Sequence, residues 1–228
     1  MRSNKAGNND SSLKNKIFAM DVSKLSDKKL FEKYYALQRE KRREQIDRMR
    51  FDNGKRLSLG AGVVVEKALT YAGCADEEIR IKKKGKPYVD GCCFNLSHTG
   101  EVAVCAVSGE EVGIDIEKPR KFDDALIKKA FTKNEIELAR NADSTPEAVY
   151  TKLWTVKESV MKWLGEGLSL MPEFIEVDIS DTIRVKIIND NEKNELIQDL
   201  KFTSYEYGEY CITVCSSAEH FCEEIEWI

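Results

Sequence analysis

Two long helical periodicities, one in each half of the chain, are set among short β-rich segments, and this alternation limits the possible fold more than any other feature. From Arg56 onward, Leu57, Ala61, Val64, Ala68 and Tyr71 recur at spacings of four and three, which makes one buried helical face, and Gly73 follows as a terminator. Short strand-like stretches succeed it at residues 79–81, 94–96, 102–107 and 112–116, separated by glycine-containing turns. In the second half, Thr145 followed by Pro146 opens a helix running to about Leu164 and stopping at Gly165. Strand-like runs return at 174–179, 183–188, 201–205 and 210–216. Upstream, residues 17–22 form a strand, and Ser26 caps a helical stretch to about Phe51 that breaks once. Residues 123–131 are helical, and Thr132 with Glu135 makes a capping box that restarts the helix. The stretches EVAVCAVSGEEVGIDIE and EYCITVCSSAEHFCEEIE resemble each other faintly. The expected class is therefore α+β: two similar α/β halves, each with a mostly antiparallel sheet packed by helices. The expected division is an arm at 1–16, an N-terminal half at 17–112 and a C-terminal half at 113–228.

With 228 residues, 42% hydrophobic and 33% charged, the chain buries a real core. No apolar run approaches the roughly 20 residues that cross a bilayer. The first residues lack the apolar region of a secretory signal, so a cytoplasmic location without membrane attachment is expected. Seven cysteines without a CxxC pair argue against a disulfide framework or a zinc knuckle. Cys211 and Cys215, near His220 and Cys222, would lie about 13 Å apart on a strand, too far to share one zinc ion. A net charge of −4 argues against a general nucleic-acid binder but leaves room for a local phosphate site. Neither GxxxxGK[ST] nor GxGxxG occurs, which removes the usual P-loop and dinucleotide folds.

In VGIDIE, alternation puts Val112, Ile114 and Ile116 on one side of a strand and Asp115 and Glu117 on the other. The two acids would stand about 6.6 Å apart at Cα, close enough to converge on one hard cation. An ordinary strand with a solvated acidic side fits the hexapeptide as well. On the helix LWTVKESVMKWLG, Val149, Leu153, Val156, Val160 and Trp163 form a core stripe, and Trp154, Glu158 and Lys162 line the opposite side. A tryptophan beside that Glu–Lys pair points to a covered face, under the other half or a ligand, where Glu158 joins the first two acids. Such a trio suits a magnesium–phosphate site. Cationic groups are at hand: residues 39–56 carry eight Lys or Arg against four acids, KKKGKP ends at Lys86 and Pro87, and FNLSHTG sets Ser97 and His98 at a strand end.

Taken together, GKP at 85–87, FNLSHTG at 94–100, VGIDIE at 112–117, FTKNE at 131–135 and LWTVKESVMKWLGEGLS at 153–169 resemble, in order and spacing, the motifs of Sfp-type 4′-phosphopantetheinyl transferases. The resemblance covers roughly residues 17–180. It implies an enzyme that moves the phosphopantetheine arm of coenzyme A onto a serine of an apo acyl or peptidyl carrier protein, releasing adenosine 3′,5′-bisphosphate. It also implies a pseudo-twofold pair of halves with coenzyme A in the cleft between them, within one monomer. By resemblance, Asp115, Glu117 and Glu158 are magnesium ligands, with Mn²⁺ as a possible substitute. Glu158 is the general base, or orients a base water, Lys162 neutralises charge on the phosphate bridging to the leaving group or protonates it, and His98 completes the catalytic set. Ser97 and His98 contact phosphates, Lys86 and Pro87 the nucleotide end, and Lys41 and Arg56 the 3′-phosphate. Glu135 is open between helix cap and site acid. The carrier's pathway is open among fatty-acid, polyketide, siderophore and nonribosomal-peptide synthesis. The competing readings are a non-catalytic coenzyme A or nucleotide module on the same scaffold and a nucleic-acid binder using the basic first helix.

Overall fold

The computed structural model describes residues 13, 15–165, 167–218, 221 and 224–228; the expected arm at 1–16 falls almost wholly outside them, as do His220 and Cys222. Strand β1 (Lys16–Asp21) points Ile17 and Ala19 to one face and Phe18 and Met20 to the other, all buried. A 3₁₀ turn follows, capped by Asp21, whose carboxylate accepts from the Ser23 N–H. That turn absorbs Ser26, so the predicted cap shifts by one: Asp27 accepts from Lys29 and Leu30 N–H and opens α1 (Lys28–Ala36). The expected break separates α1 from α2 (Glu40–Asp47). Helix α3 (Asp52–Tyr71) starts earlier than Arg56 and stops before Gly73, which takes φ +73°.

The lysine-rich turn is the tip of a small hairpin, β2 (Arg80–Ile81) with β3 (Pro87–Tyr88). Strands β4 (Cys93–Thr99) and β5 (Val102–Ser108) pair antiparallel, and β5 pairs with β1. Next along the chain come β6 (Val112–Glu117), α4 (Asp124–Ala130), α5 (Lys133–Asn141) and α6 (Pro146–Leu164). A ribbon of β7 (Ile175–Asp178) and β8 (Arg184–Ile187) follows. Next comes α7 (Asn191–Ile197), a short polar helix capped by Asp190 that hydrophobic periodicity does not reveal. Strands β9 (Lys201–Tyr207) and β10 (Tyr210–Ser216) complete an antiparallel sheet ordered β6-β10-β9. The last strand, β11 (Glu226–Trp227), returns to pair parallel with β1, giving a first sheet ordered β11-β1-β5-β4. Among the described residues no helix is long and apolar enough to cross a membrane.

The layers follow from alternation. Val102, Val104 and Ala106 of β5 meet Ile114, Ile116, Ile212 and Val214 of the second sheet, whereas Ala103, Cys105 and Val107 turn to α3. Burying one such Val or Ile contributes about 1.5–3 kcal/mol, so this apolar contact binds sheet to sheet. On the far side of the second sheet lies α6. It sits so close to β6 that a Cβ at Gly113 would lie 1.9 Å from the Ser159 carbonyl oxygen and 2.7 Å from the Trp163 nitrogen. Only glycine permits that approach, and the approach carries residues 158 and 162 to the acidic face of β6.

Candidate functional site

The acidic side of β6 is not solvated: α6 covers it, and Asp115 is 4% exposed. Lys162 Nζ donates to Asp115 Oδ1 at 2.6 Å, to Ser97 Oγ at 2.9 Å and to the Ile114 carbonyl at 3.1 Å. Three ammonium protons thus have three acceptors. Ser97 Oγ itself donates to Asp115 Oδ1 at 2.7 Å. Two residues further along β4, Thr99 Oγ1 donates to Glu117 Oε2 at 3.3 Å. Strands of two sheets and one helix therefore meet at a single polar seam.

Its electrostatics are those of crowded acids. Burial first, then the Asp115 carboxylate, push Glu158 up to about 7, with Glu117 adding to the effect and Lys162 opposing it. Glu117 is likewise raised, by burial and then by Asp115, against Arg120, the Thr99 hydroxyl and Lys162. One lysine does not balance one buried and two half-buried carboxylates. In addition, Asp115 Oδ2 is buried and has no hydrogen-bond partner. Among the described residues no three His, Cys, Asp or Glu stand as a preformed metal cage. The donor set nonetheless fits a hard divalent cation: all oxygens, excess negative charge and one orphaned acceptor, with few protein ligands needed when phosphate and water complete the shell.

Glu158 has a pH signature. Its folded pKa lies above the unfolded value near 4.3, so the stability it permits is full below that value and is lost as pH rises through about 7. In metal-free buffer the melting temperature should fall between pH 5 and pH 8, and Glu158→Gln should flatten the decline; parallel profiles for the two proteins would contradict this.

The remaining predicted residues divide. Alternation turns His98 to the side of Phe94 and Leu96, away from Ser97. Its side chain is exposed at the strand's end, and desolvation, then cationic Lys162 and Arg42, hold its imidazole below the ordinary histidine range. Lys41 and Pro87 line one cavity of about 680 Å³ with Arg39, Arg42, Phe94 and Leu96. At its edge the exposed Lys41 ammonium pairs with Glu78 at 3.4 Å. Arg56 is not among the cavity's lining residues, and its Nε is buried without a partner. Lys86 differs from its neighbour Pro87. Its side chain is buried, donating to the Val112 carbonyl at 3.0 Å and the Trp163 carbonyl at 3.2 Å, and ion-paired with Glu111. Its ammonium is committed to holding the hairpin on β6 and α6.

Glu135 does not face the seam. It completes the capping box and accepts from Lys157 Nζ at 2.7 Å and from the Val177 N–H at 2.8 Å. Trp154 meets Phe131 edge-on at 6.5 Å, so an aromatic neighbour from the end of α4 packs against it. Sequence reasoning missed Lys157, Thr99 and Asn95. Lys157 sits beside a charged neighbour on a helix, and only a buried acid elsewhere marks it as interior.

Comparison with known proteins gives a consistent result. The family model described as the 4′-phosphopantetheinyl transferase superfamily matches residues 111–215, from just before β6 to β10. A 4′-phosphopantetheinyl transferase of Bacillus subtilis is 33% identical over 153 residues, spanning 64% of this chain and 66% of that protein. The 4′-phosphopantetheinyl transferase Sfp of Bacillus subtilis strain 168 is 30% identical over 160 residues, 68% of this chain and 69% of its own length. Among solved structures, Helicobacter pylori holo-[acyl-carrier-protein] synthase in complex with coenzyme A aligns with TM-score 0.38 and 17% identity, over 46% of this chain and 97% of that one.

Proposed function

Since the chain belongs to the 4′-phosphopantetheinyl transferase superfamily, we propose that it transfers the 4′-phosphopantetheine arm of coenzyme A to a serine of an apo acyl or peptidyl carrier protein. The second product is adenosine 3′,5′-bisphosphate, and the reaction depends on Mg²⁺, with Mn²⁺ as a substitute. The observation that carries this reading is the meeting of Asp115, Glu158 and Lys162 beside Ser97 at one seam.

Phosphoryl transfer needs positioning and charge stabilisation more than covalent chemistry, and these side chains supply both. Glu158, with a pKa raised to about 7, is matched to accept the proton of the carrier's serine hydroxyl. Lys162, already fixed by three acceptors, holds a positive charge where the leaving phosphate gathers negative charge. Ser97 and His98 offer hydrogen bonds to phosphate oxygens from the two sides of β4. Asp115, Glu117 and Glu158 would hold the divalent ion, Asp115 through its free Oδ2. When bound, that ion neutralises pyrophosphate oxygens and orients the group in transfer. On the far side of Ser97, the cavity lined by Lys41 and Pro87 takes the nucleotide end, with Lys41 placed to meet its 3′-phosphate. One chain provides every one of these groups, so a monomer suffices.

The test is transfer itself. Purified protein with coenzyme A and Mg²⁺ should raise the intact mass of at least one apo carrier from a panel spanning fatty-acid, polyketide and peptide systems. Chelator should abolish the mass gain and Mn²⁺ should restore it. Binding of coenzyme A without modification of any carrier would favour a non-catalytic module instead.

A further inference from the structure

Strands β4 and β6 lie side by side, yet they belong to different sheets and share no backbone ladder. Side chains of β4 take over the pairing. Asn95, 4% exposed, accepts the Ile114 N–H on its Oδ1 at 2.9 Å. Two residues on, Ser97 reaches Asp115, and two further on, Thr99 reaches Glu117. The three donors or acceptors share one face of β4, because side chains at i, i+2 and i+4 point the same way. They therefore form a polar zipper in register with β6. Lysines complete the edge: Lys86 donates to the Val112 carbonyl and Lys162 to the Ile114 carbonyl.

A seam held by side chains has a width set by those side chains rather than by the 4.7–4.9 Å of a ladder. We propose that Asn95 and Thr99 are positioning residues: bonding β6 from β4 on either side of the Ser97–Asp115 contact, they set the seam width and hence where the Asp115 and Glu117 carboxylates stand relative to Glu158 on α6. Asn95 acts on the backbone at Ile114, next to Asp115. Thr99 acts directly on Glu117, and among the described residues its hydroxyl is the one hydrogen-bond donor to that carboxylate. Hydrogen bonds to ligating carboxylates orient them, and losing one lowers metal affinity about ten- to a hundredfold. At 3.3 Å the Thr99 bond belongs at the lower end.

This inference rests on the proposed metal-dependent transfer. The experiment uses the full chain and Mn²⁺ as probe, comparing wild type, Thr99→Val and Thr99→Ser. Affinity is read by electron paramagnetic resonance, and transfer rate is read across metal concentration. Valine keeps the shape of threonine without the hydroxyl, and serine keeps the hydroxyl. Thr99→Val should bind Mn²⁺ about tenfold more weakly, with kcat at saturating metal within about threefold of wild type, and Thr99→Ser should match wild type. A merely structural role would not separate metal affinity from kcat in this way. Unchanged Mn²⁺ affinity in Thr99→Val, or a serine variant as weak as the valine one, overturns the inference alone. Wild type that binds no Mn²⁺ overturns the reading beneath it as well. Asn95→Ala is the second arm: the amide of Ile114 should lose hydrogen-exchange protection, and Mn²⁺ affinity should fall again. Retained protection at Ile114 counts against the zipper.

Discussion

Lys157→Ala should lower the melting temperature by roughly 10 °C, the largest stability loss expected from any single substitution outside the apolar core. Lys157 and Glu135 are both wholly buried at the side chain, 2.7 Å apart. The ammonium donates to Glu135 Oε2, to the Ala130 carbonyl at 2.7 Å and to the Pro172 carbonyl at 3.0 Å, which uses all three protons. Burial lowers the lysine pKa and the glutamate opposes that shift. Glu135 in turn accepts from the Thr132 and Val177 N–H groups. The pair thus joins α4, α5, α6 and β7 at one point. Removing the lysine leaves a carboxylate buried without its cation and two carbonyls without donors. Breaking one side of a buried pair costs about 3–5 kcal/mol, and each kcal/mol moves the midpoint of a protein this size by about 2–4 °C. Lys157→Met with Glu135→Gln should recover part of the loss, since the stranded charge is gone. Thermal melts of wild type, Lys157→Ala and the double variant check this, and a Lys157→Ala protein within 2 °C of wild type would refute it.

That pair also shows where reading the sequence stops. The capping box at Thr132 and Glu135 is legible from four residues because both bonds are local. Lys157 is not, because its three partners are 15 to 27 residues away and appear only once α6 is laid against the α4–α5 corner. The same distinction runs through the site. Alternation in VGIDIE places Asp115 and Glu117 on one face, and helical spacing places Glu158 one turn from Lys162; both are local periodicities. What periodicity does not contain is the close approach allowed by Gly113, which sets helix on strand. Nor does it contain the side-chain zipper from Asn95 to Thr99, since no turn or ladder pattern marks a seam between two sheets. Lys86 illustrates the converse. A lysine in a polar turn reads as surface or as a ligand contact, but folding buries it against Glu111 and two carbonyls. Its neighbour Pro87 remains on the cavity.

Asp115→Asn should reduce kcat/KM for carrier modification by about a thousandfold while leaving the melting temperature within a few degrees of wild type. Asparagine has the shape of aspartate and can keep one oxygen facing Ser97 and Lys162, so the contacts at 2.7 Å and 2.6 Å survive in form. Two things change. The negative charge that fixes Lys162 disappears, and the buried Oδ2, an acceptor without a partner, becomes an NH₂ group that repels cations. Losing one preorganised electrostatic group in a water-poor site costs about a hundred- to a thousandfold in rate, and here one atom change removes a charge and inverts an acceptor. The loss of Asp115 also relieves Glu158, whose raised pKa owes its second largest push to that carboxylate. The acidic limb of the residual pH–rate profile should therefore move to lower pH, a displacement that general unfolding would not produce. Intact-mass kinetics from pH 5 to pH 8 with saturating coenzyme A and Mg²⁺ measure both effects. Turnover near wild type in Asp115→Asn would show that the seam is architecture alone and that transfer takes place elsewhere on the chain.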